Sequence, residues 1–353
     1  LYCIPMNKIE SDEKLDFQNV LIRPKRSTIN SRSCVELQRD FRFKYSKKTW
    51  KGVPIISANM DKTGTFEIYE TLRKHNIITA LHKFYTLQDF LDYKEKTGNP
   101  LDPNFFMVST GIHDHDFERI GTILSHIECK WICIDIANGY IDALVQFCQR
   151  VRKQFPNKII VAGNVVTREI TEELILNGLV DIVKVGIGPG CACLTRVKTG
   201  VGMPQLSAVL ECADAAHGVN GHIISDGGIT CPGDMAKAFG AGADFVMVGG
   251  QFAGHDQNPG EIVEENGKKY KLFHGMSSNK AQETHYGKMN SYRSSEGRVM
   301  KIPYKGDLTD TVMDYLGGLR STCTYINAKT IKQMAKCTTF VKVSQQVNNF
   351  FGA

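Results

Sequence analysis

Apolar residues in this chain come in short runs, and those runs alternate with stretches whose apolar positions lie three or four residues apart. The runs predict strands at Val53–Ala58, Ile77–Leu81, Phe105–Ser109, Trp131–Ile136, Lys158–Ala162, Ile182–Gly186, His222–Ser225 and Phe245–Val248. They are apolar almost continuously rather than in alternation, as parallel strands covered on both faces require. Between them, Gly64–Lys74, Asp116–His126, Asp142–Gln154 and Glu169–Asn177 carry helical spacing. Asn177-Gly178 supplies a C-cap signal, and Pro204 and Pro232 each stand just inside the start of a helix, where a missing N–H costs nothing. Eight alternations predict the α/β class and a closed (β/α)8 TIM barrel, with an open doubly wound sheet as the competing arrangement. A length of 353 residues suits one such barrel with insertions, so residues 1–353 read as a single domain.

Two connections are too long to be simple barrel loops. One follows the sixth strand, from Gly186 to about Met203; the other follows the eighth, from Gln251 to about Asp307. Within the second, GEIVEENGKKYKLF predicts a hairpin around Asn266-Gly267, a type I′ turn pair. The rest, Ser277 to Lys305, is polar and weakly periodic. Loops after barrel strands lie at the catalytic face, and long ones are usually functional. The closing KxTxxFVKVSQQV segment reads as a packing tail.

Composition then narrows the class. The net charge of +6 is mild, and Lys and Arg are scattered among Asp and Glu, which argues against a nucleic-acid surface. Eleven cysteines, an odd number without framework spacing and several of them in apolar runs, read as reduced thiols. No Cys/His spacing supports a zinc site, and the loop histidines His113 and His115 read as solvated. No run approaches a membrane span and the first residues do not read as a signal peptide, so a cytoplasmic protein is expected.

Candidate chemistry gathers at the strand ends. The seventh strand ends in Asp226-Gly227-Gly228 and the eighth in Gly249-Gly250, the two exits where barrels commonly bind phosphate on glycine-exposed N–H groups. Asp226 could then accept from the hydroxyls of a ribose. The sixth strand leads into GIGPGCACLTRVKTGVG, whose glycine spacing is wrong for a dinucleotide fingerprint but lets carbonyls turn inward towards a monovalent cation. Cys191 and Cys193 follow, each a candidate nucleophile on a loop beside Thr195 and Arg196; spacing alone does not separate them. Lys83 after the second strand, and Asp135 to Gly139 after the fourth, are end-caps or ligand contacts.

These residues fall in a familiar order. From LDFQNVLIRPKRS to RSTCTYINA, through GVPIISANMDKTGTFE, VGIGPGCACLTRVKTGVGMPQLSAV, ISDGGITCPGDMAKAFGAGADFVMVGGQFAGH and YRSSEG, the chain resembles the GMP reductase family, within the larger group that includes IMP dehydrogenase. The resemblance implies NADPH-dependent conversion of GMP to IMP and ammonia through a covalent cysteine thioimidate. It assigns the nucleophile to Cys193 and proton handling to Thr195 and Glu296. It implies a nucleotide pocket of Asp226, Gly227, Gly228, Gly249, Gly250, Gly275, Met276, Ser277, Arg293, Ser294, Ser295, Glu296 and Gly297. Lys83, Asp135, Ile136, Ala137, Met276, Ser321, Thr322, Cys323 and Thr324 resemble cofactor contacts, and Ser31 and Arg32 resemble contacts given to a neighbouring subunit. Potassium would lie on carbonyls of Gly188, Gly190, Cys193 and Arg196, and a homotetramer is implied. The chain departs from the family pattern at Cys191, where serine is expected, at Leu194, where threonine is expected, and over residues 287–292.

Two rivals are separable. An IMP dehydrogenase would carry an inserted regulatory module and an Arg-Tyr flap; the strand spacing leaves no room for the first, and YRSSEG offers Glu296 in place of the second. A catalytically silent nucleotide binder would lack the nucleophile or the relay, and Cys193, Thr195 and Glu296 are all present.

Overall fold

A computed structural model describes residues 9–276 and 297–344. The eight predicted runs form one closed parallel barrel. Its strands are β1 (Ile55–Ser57), β2 (Ile78–Leu81), β3 (Phe106–Thr110), β4 (Trp131–Asp135), β5 (Ile159–Val165), β6 (Ile182–Val185), β7 (His222–Asp226) and β8 (Phe245–Val248). They pair in chain order, and Val246 of β8 opposite Ile55 of β1 closes the ring. An open sheet is thereby excluded. Every residue of β1, β2, β3, β6 and β8 is buried, because helices cover one face of each strand and the barrel interior the other. Each large apolar side chain so buried contributes about 1.5–3 kcal/mol.

Helices follow the predicted rhythm. Asp142–Gln154 coincides with its expected span, while Asp114–His126, Phe66–Leu72 and Arg168–Leu176 differ from expectation by a turn or less at their ends. Leu87–Thr97 is a helix not among those predicted; only Phe90 is buried in it, and its start is set by a capping box between Thr86 and Asp89. Pro232 occupies the first turn of Pro232–Gly240 as expected. Pro204 sits one position earlier than expected, as the N-cap of Gln205–Gly218. At Asn177-Gly178 the left-handed residue is Leu179 (φ 58°). Gly178 is needed there because a Cβ would lie 2.5 Å from the Leu174 carbonyl oxygen.

Beneath the barrel, Arg39–Arg42 and Thr49–Gly52 form an antiparallel hairpin. Phe41 stacks on Phe245 at 4.5 Å and Trp50 meets Trp131 edge-on at 5.7 Å. Trp131 and Phe245 open β4 and β8, so the hairpin plugs the N-terminal end of the barrel. Two buried carboxylates, each just before a strand, tie the plug in. Asp181 accepts from Tyr45 N (2.8 Å), Ile160 N (3.1 Å) and Arg152 Nη2 (2.7 Å). Asp244 accepts from Arg39 Nη2 (3.0 Å), Ile223 N (3.0 Å) and His217 Nε2 (2.8 Å).

The long excursion after β8 contains the expected hairpin, Val263–Glu265 against Lys268–His274, with Asn266 and Gly267 both left-handed (φ 51° and 72°). A third strand, Val299–Pro303, pairs with Lys268–His274 where the sequence predicts only a polar loop. The expected packing tail is itself a strand at Phe340–Lys342, paired with Val20–Ile22.

Candidate functional site

Glycine shapes the two exits at the top of β7 and β8. Beyond β7, Gly227 and Gly228 are both left-handed (φ 90° and 80°), a pair that side chains with a Cβ resist. A Cβ on Gly227 would lie 3.0 Å from Pro189, so this loop is seated directly on the loop after β6. Beyond β8, Gly249 and Gly250 begin a 3-10 turn to Phe252. Together these exits and the loop after β6 line a cavity of about 520 Å³ at the C-terminal face, within the usual range for small-molecule sites.

The loop after β6 carries the thiols. Cys193 N bonds Gly190 O at 3.0 Å, and the short helix Thr195–Thr199 starts at once. This turn sets Cys193 Sγ 3.3 Å from Thr195 Oγ1. The turn is clamped from the other side by the three-stranded excursion. Cys193 forms an antiparallel bridge with Gly297, Arg298 N bonds Ala192 O at 3.1 Å, and Gly275 N bonds Arg298 O at 3.2 Å. Gly275 permits the close approach, since a Cβ there would come within 2.9 Å of Ala192 O. Cys191 is an exposed residue, yet its sulfur turns in against Gly250, where a Cβ would lie 2.6 Å from it. Desolvation of that sulfur pushes its thiol above the ordinary cysteine value, which disfavours the reactive thiolate.

The floor of the cavity is a polar network around one buried cation. Lys184, on β6, has a side chain only 3% exposed and reaches two carboxylates: Asp135 Oδ1 at 3.4 Å and Asp226 Oδ2 in a shorter pair. Asn59 Nδ2 donates to Asp135 Oδ2 at 2.7 Å, and Asn164 Nδ2 donates to Asp226 Oδ2 at 2.9 Å. A register irregularity between Gly163 and Val165 in β5 sets Asn164 at that position. Burial works against the charged form of Lys184, but Asp135 and Asp226 outweigh it and hold the ammonium above its usual range. Cys133, beneath the triad, is a buried thiol whose pKa desolvation pushes up to about 12, so it stays protonated.

Many residues singled out in the sequence therefore meet. Cys193, Thr195, Asp226, Gly227, Gly228, Gly249, Gly250, Gly275, Met276, Gly297, Asp135, Ile136, Ala137, Gly188, Gly190 and Arg196 all line the cavity. Lys83 lies just past β2 and does not line it. Ser321 to Thr324 belong to the helix Leu308–Ile326, which packs on the 3-10 turn Arg32–Cys34 capped by Ser31; neither these residues nor Ser31 and Arg32 line the cavity. Ser277, Arg293, Ser294, Ser295 and Glu296 lie outside the described residues.

Sequence reasoning passed over Lys184, Asn59, Asn164 and the Asp16–Gln18 segment, which also line the cavity. The one readable signal was a lysine inside the apolar run DIVKVG. Asp16 Oδ1 accepts from Gln205 N at 2.6 Å and its Oδ2 pairs with Arg196 at 3.5 Å, so the N-terminal segment braces the thiol loop. Among the described residues, one group of His, Cys and acidic side chains converges closely enough for a metal: His217, His222 and Asp244. It sits at the plugged end of the barrel, and Arg39 already pairs with its carboxylate.

The arrangement brings a thiol beside a hydroxyl, two glycine-exposed strand exits and a carboxylate around one cavity. Comparison with known proteins agrees in kind. Residues 14–349 match the IMP dehydrogenase / GMP reductase domain family. A GMP reductase of Caenorhabditis elegans is 54% identical over 98% of this chain and 96% of its own length. GMP reductase 2 of Homo sapiens is 56% identical over 98% of this chain and 99% of its own. A GMP reductase of Phytophthora infestans is 56% identical over 98% and 95%. With matches of this identity running nearly end to end in both chains, the protein belongs to the IMP dehydrogenase/GMP reductase family.

Proposed function

We propose that this chain is a GMP reductase, converting GMP to IMP with release of ammonia. The observation that carries the reading is the convergence of Cys193 and Thr195 with the glycine exits of β7 and β8 and with Asp226 around one cavity. The phosphate would rest on N–H groups at Gly227, Gly228, Gly249 and Gly250, and the ribose on Asp226. That order leaves the base facing Cys193. C2 of guanine is amidine-like and electron-poor, so the Cys193 thiolate can form a C–S bond there, the C2–N3 π electrons moving to nitrogen. The exocyclic amine leaves as ammonia only once protonated. Thr195, in contact with the sulfur, is placed to pass that proton, with Glu296 as its source in the family pattern. Gly297, the neighbour of Glu296 in the chain, is the residue bridged to Cys193. Loss of ammonia leaves a thioimidate at C2, and breaking its C–S bond after reduction regenerates the thiol.

NADPH, when bound, supplies the hydride that reduces C2. Asp135, Ile136 and Ala137 at and just past the end of β4, with Met276, line the same cavity and would hold its reactive end. Lys83, Ser321, Thr322, Cys323 and Thr324, together with Ser31 and Arg32 of an adjacent subunit, would hold the remainder. Potassium would take the carbonyls of Gly188, Gly190, Cys193 and Arg196. Those of Gly190 and Arg196 each accept one internal hydrogen bond, from Cys193 N and Gly200 N, and a carbonyl oxygen retains a second lone pair for a cation. Residues 1–353 act, in this reading, as one catalytic domain in a cytoplasmic homotetramer. No described helix is long and apolar enough to cross a membrane.

The deciding experiment follows NADPH absorbance with purified protein and GMP. GMP-dependent NADPH loss, matched by IMP and ammonia, abolished by Cys193→Ala and retained by Cys191→Ala, is the expected result. NADH formation from IMP and NAD in place of that reaction would make the protein a dehydrogenase instead.

A further inference from the structure

Lys184 is out of place by composition: a cation in the middle of a buried strand, with a side chain 3% exposed. Its ammonium is shared by two carboxylates from different strands, Asp135 at the end of β4 and Asp226 at the end of β7. Each carboxylate is also gripped by one asparagine, Asn59 on Asp135 Oδ2 (2.7 Å) and Asn164 on Asp226 Oδ2 (2.9 Å). On Asp226 the lysine and the asparagine both use Oδ2, which leaves Oδ1 as the oxygen for a ligand hydroxyl. The strands cannot easily yield around this point. A Cβ on Gly163 would lie 2.7 Å from Lys184 Cβ and 2.4 Å from its carbonyl oxygen, so β5 and β6 are in close contact at the lysine.

We propose that Lys184 is a positioning residue that couples the nucleotide half of the cavity to the cofactor half. It acts as the common counter-ion of the carboxylate that receives the ribose and the carboxylate beside the cofactor. This rests on the functional reading of Asp226 and Asp135 given above. A shared ammonium between two carboxylates makes their positions interdependent. When a ribose hydroxyl donates to Asp226, that carboxylate's claim on Lys184 weakens and the ammonium shifts its weight towards Asp135. Coupling between two sites is reciprocal, so cofactor binding at Asp135 must alter nucleotide affinity by the same factor. The two asparagines touch one carboxylate each and lack this property.

The test uses full-length protein and equilibrium titration, separately and together, with the unreactive pair GMP and NADP+, alongside steady-state KM and kcat. Wild type is expected to bind both ligands with mutual dependence. Asn164→Ala should weaken GMP by about tenfold with NADP+ little changed, and Asn59→Ala should do the reverse, the loss expected for one hydrogen bond to a charged group. Lys184→Met should weaken both ligands and abolish their mutual dependence, and Lys184→Arg should restore at least part of that dependence. A folded Lys184→Met that keeps both affinities, or an Asn164→Ala that weakens NADP+ as much as GMP, overturns the proposal. Wild type that binds both ligands with no mutual dependence also overturns it, and that titration decides the matter even where Lys184→Met does not fold. Wild type that binds neither ligand would overturn the functional reading itself, a result distinct from binding that is merely insensitive to Lys184.

Discussion

Cys193 Sγ and Thr195 Oγ1 stand 3.3 Å apart, with the single residue Leu194 between them in the chain. Only a tight turn achieves this, and the Cys193 N to Gly190 O bond makes it. The sequence already contained both residues, but spacing alone left Cys191 and Cys193 equivalent, and only the family resemblance favoured Cys193. What separates them is the direction in which each sulfur points, which a loop's fold decides: Cys191 packs on Gly250 and Cys193 faces Thr195. A hydroxyl that passes a proton to a leaving amine is worth about 10²–10⁴ in rate. Thr195→Val should therefore lower kcat by about 10²-fold or more while GMP still binds, as steady-state kinetics and a GMP titration would reveal. An unchanged kcat would remove Thr195 from the proton path. Thiol alkylation offers a second check at this scale. Saturating GMP is expected to protect Cys193 and leave Cys34, exposed outside the cavity, open to reagent, as peptide mass spectrometry would read directly.

At the scale of elements, the excursion after β8 does more than cover the barrel. Its strands Lys268–His274 and Val299–Pro303 reach the thiol loop through Gly275, Gly297 and Arg298. No burial alternation legible in sequence marks the strand Val299–Pro303: Val299 and Pro303 are apolar yet exposed, and only Ile302 is buried. Gly275→Ala should push the clamp off Ala192 O and lower kcat/KM at least about tenfold with little loss of stability, since the excursion lies outside the barrel core. At the opposite end, the plug hangs on Asp244. Burial alone would raise the pKa of that carboxyl, but His222 and a hydrogen bond from His217 outweigh it and carry it well below 3.8. The same bond raises His217 above 6.5. Stability from Asp244 is thus present above pH 3.8 and lost as pH falls below it, whereas that from His217 is full below pH 6.5 and lost as pH rises through its raised value. Urea midpoints measured across pH should decline on both sides of this window, and His217→Ala should flatten the alkaline side and lessen the decline on the acid side, since that bond also helps to hold Asp244 down. Asp244→Ala should cost about 3–5 kcal/mol, because Arg39 loses its buried partner.

For the whole molecule, closure of the barrel brings together residues from β4, β5, β6, β7 and β8 that are far apart in the chain. A ligand that spans these strands binds the folded state alone. GMP at a hundredfold excess over its Kd should therefore stabilise the protein by about 2.7 kcal/mol, seen as a rise in Tm. Guanosine, which lacks the phosphate for the Gly227–Gly228 and Gly249–Gly250 exits, should give a distinctly smaller rise at equal concentration. Equal shifts would argue that those glycines serve only the turns.

The eight strands, the Asn266-Gly267 hairpin and the glycine-rich exits were determined by the sequence alone. Apolar periodicity and left-handed glycine are local properties, legible wherever the chain goes next. Even Lys184 announced itself as a charge within an apolar strand, though not its task. Its partners stand 49 residues away at Asp135 and 42 at Asp226. So, too, Arg39 meets Asp244, and Asp16 meets Arg196, across most of the chain. Only tertiary structure decided these pairings. A buried charge is stable solely where its counter-charge is brought to it, and the ring of strands, not any local pattern, does the bringing.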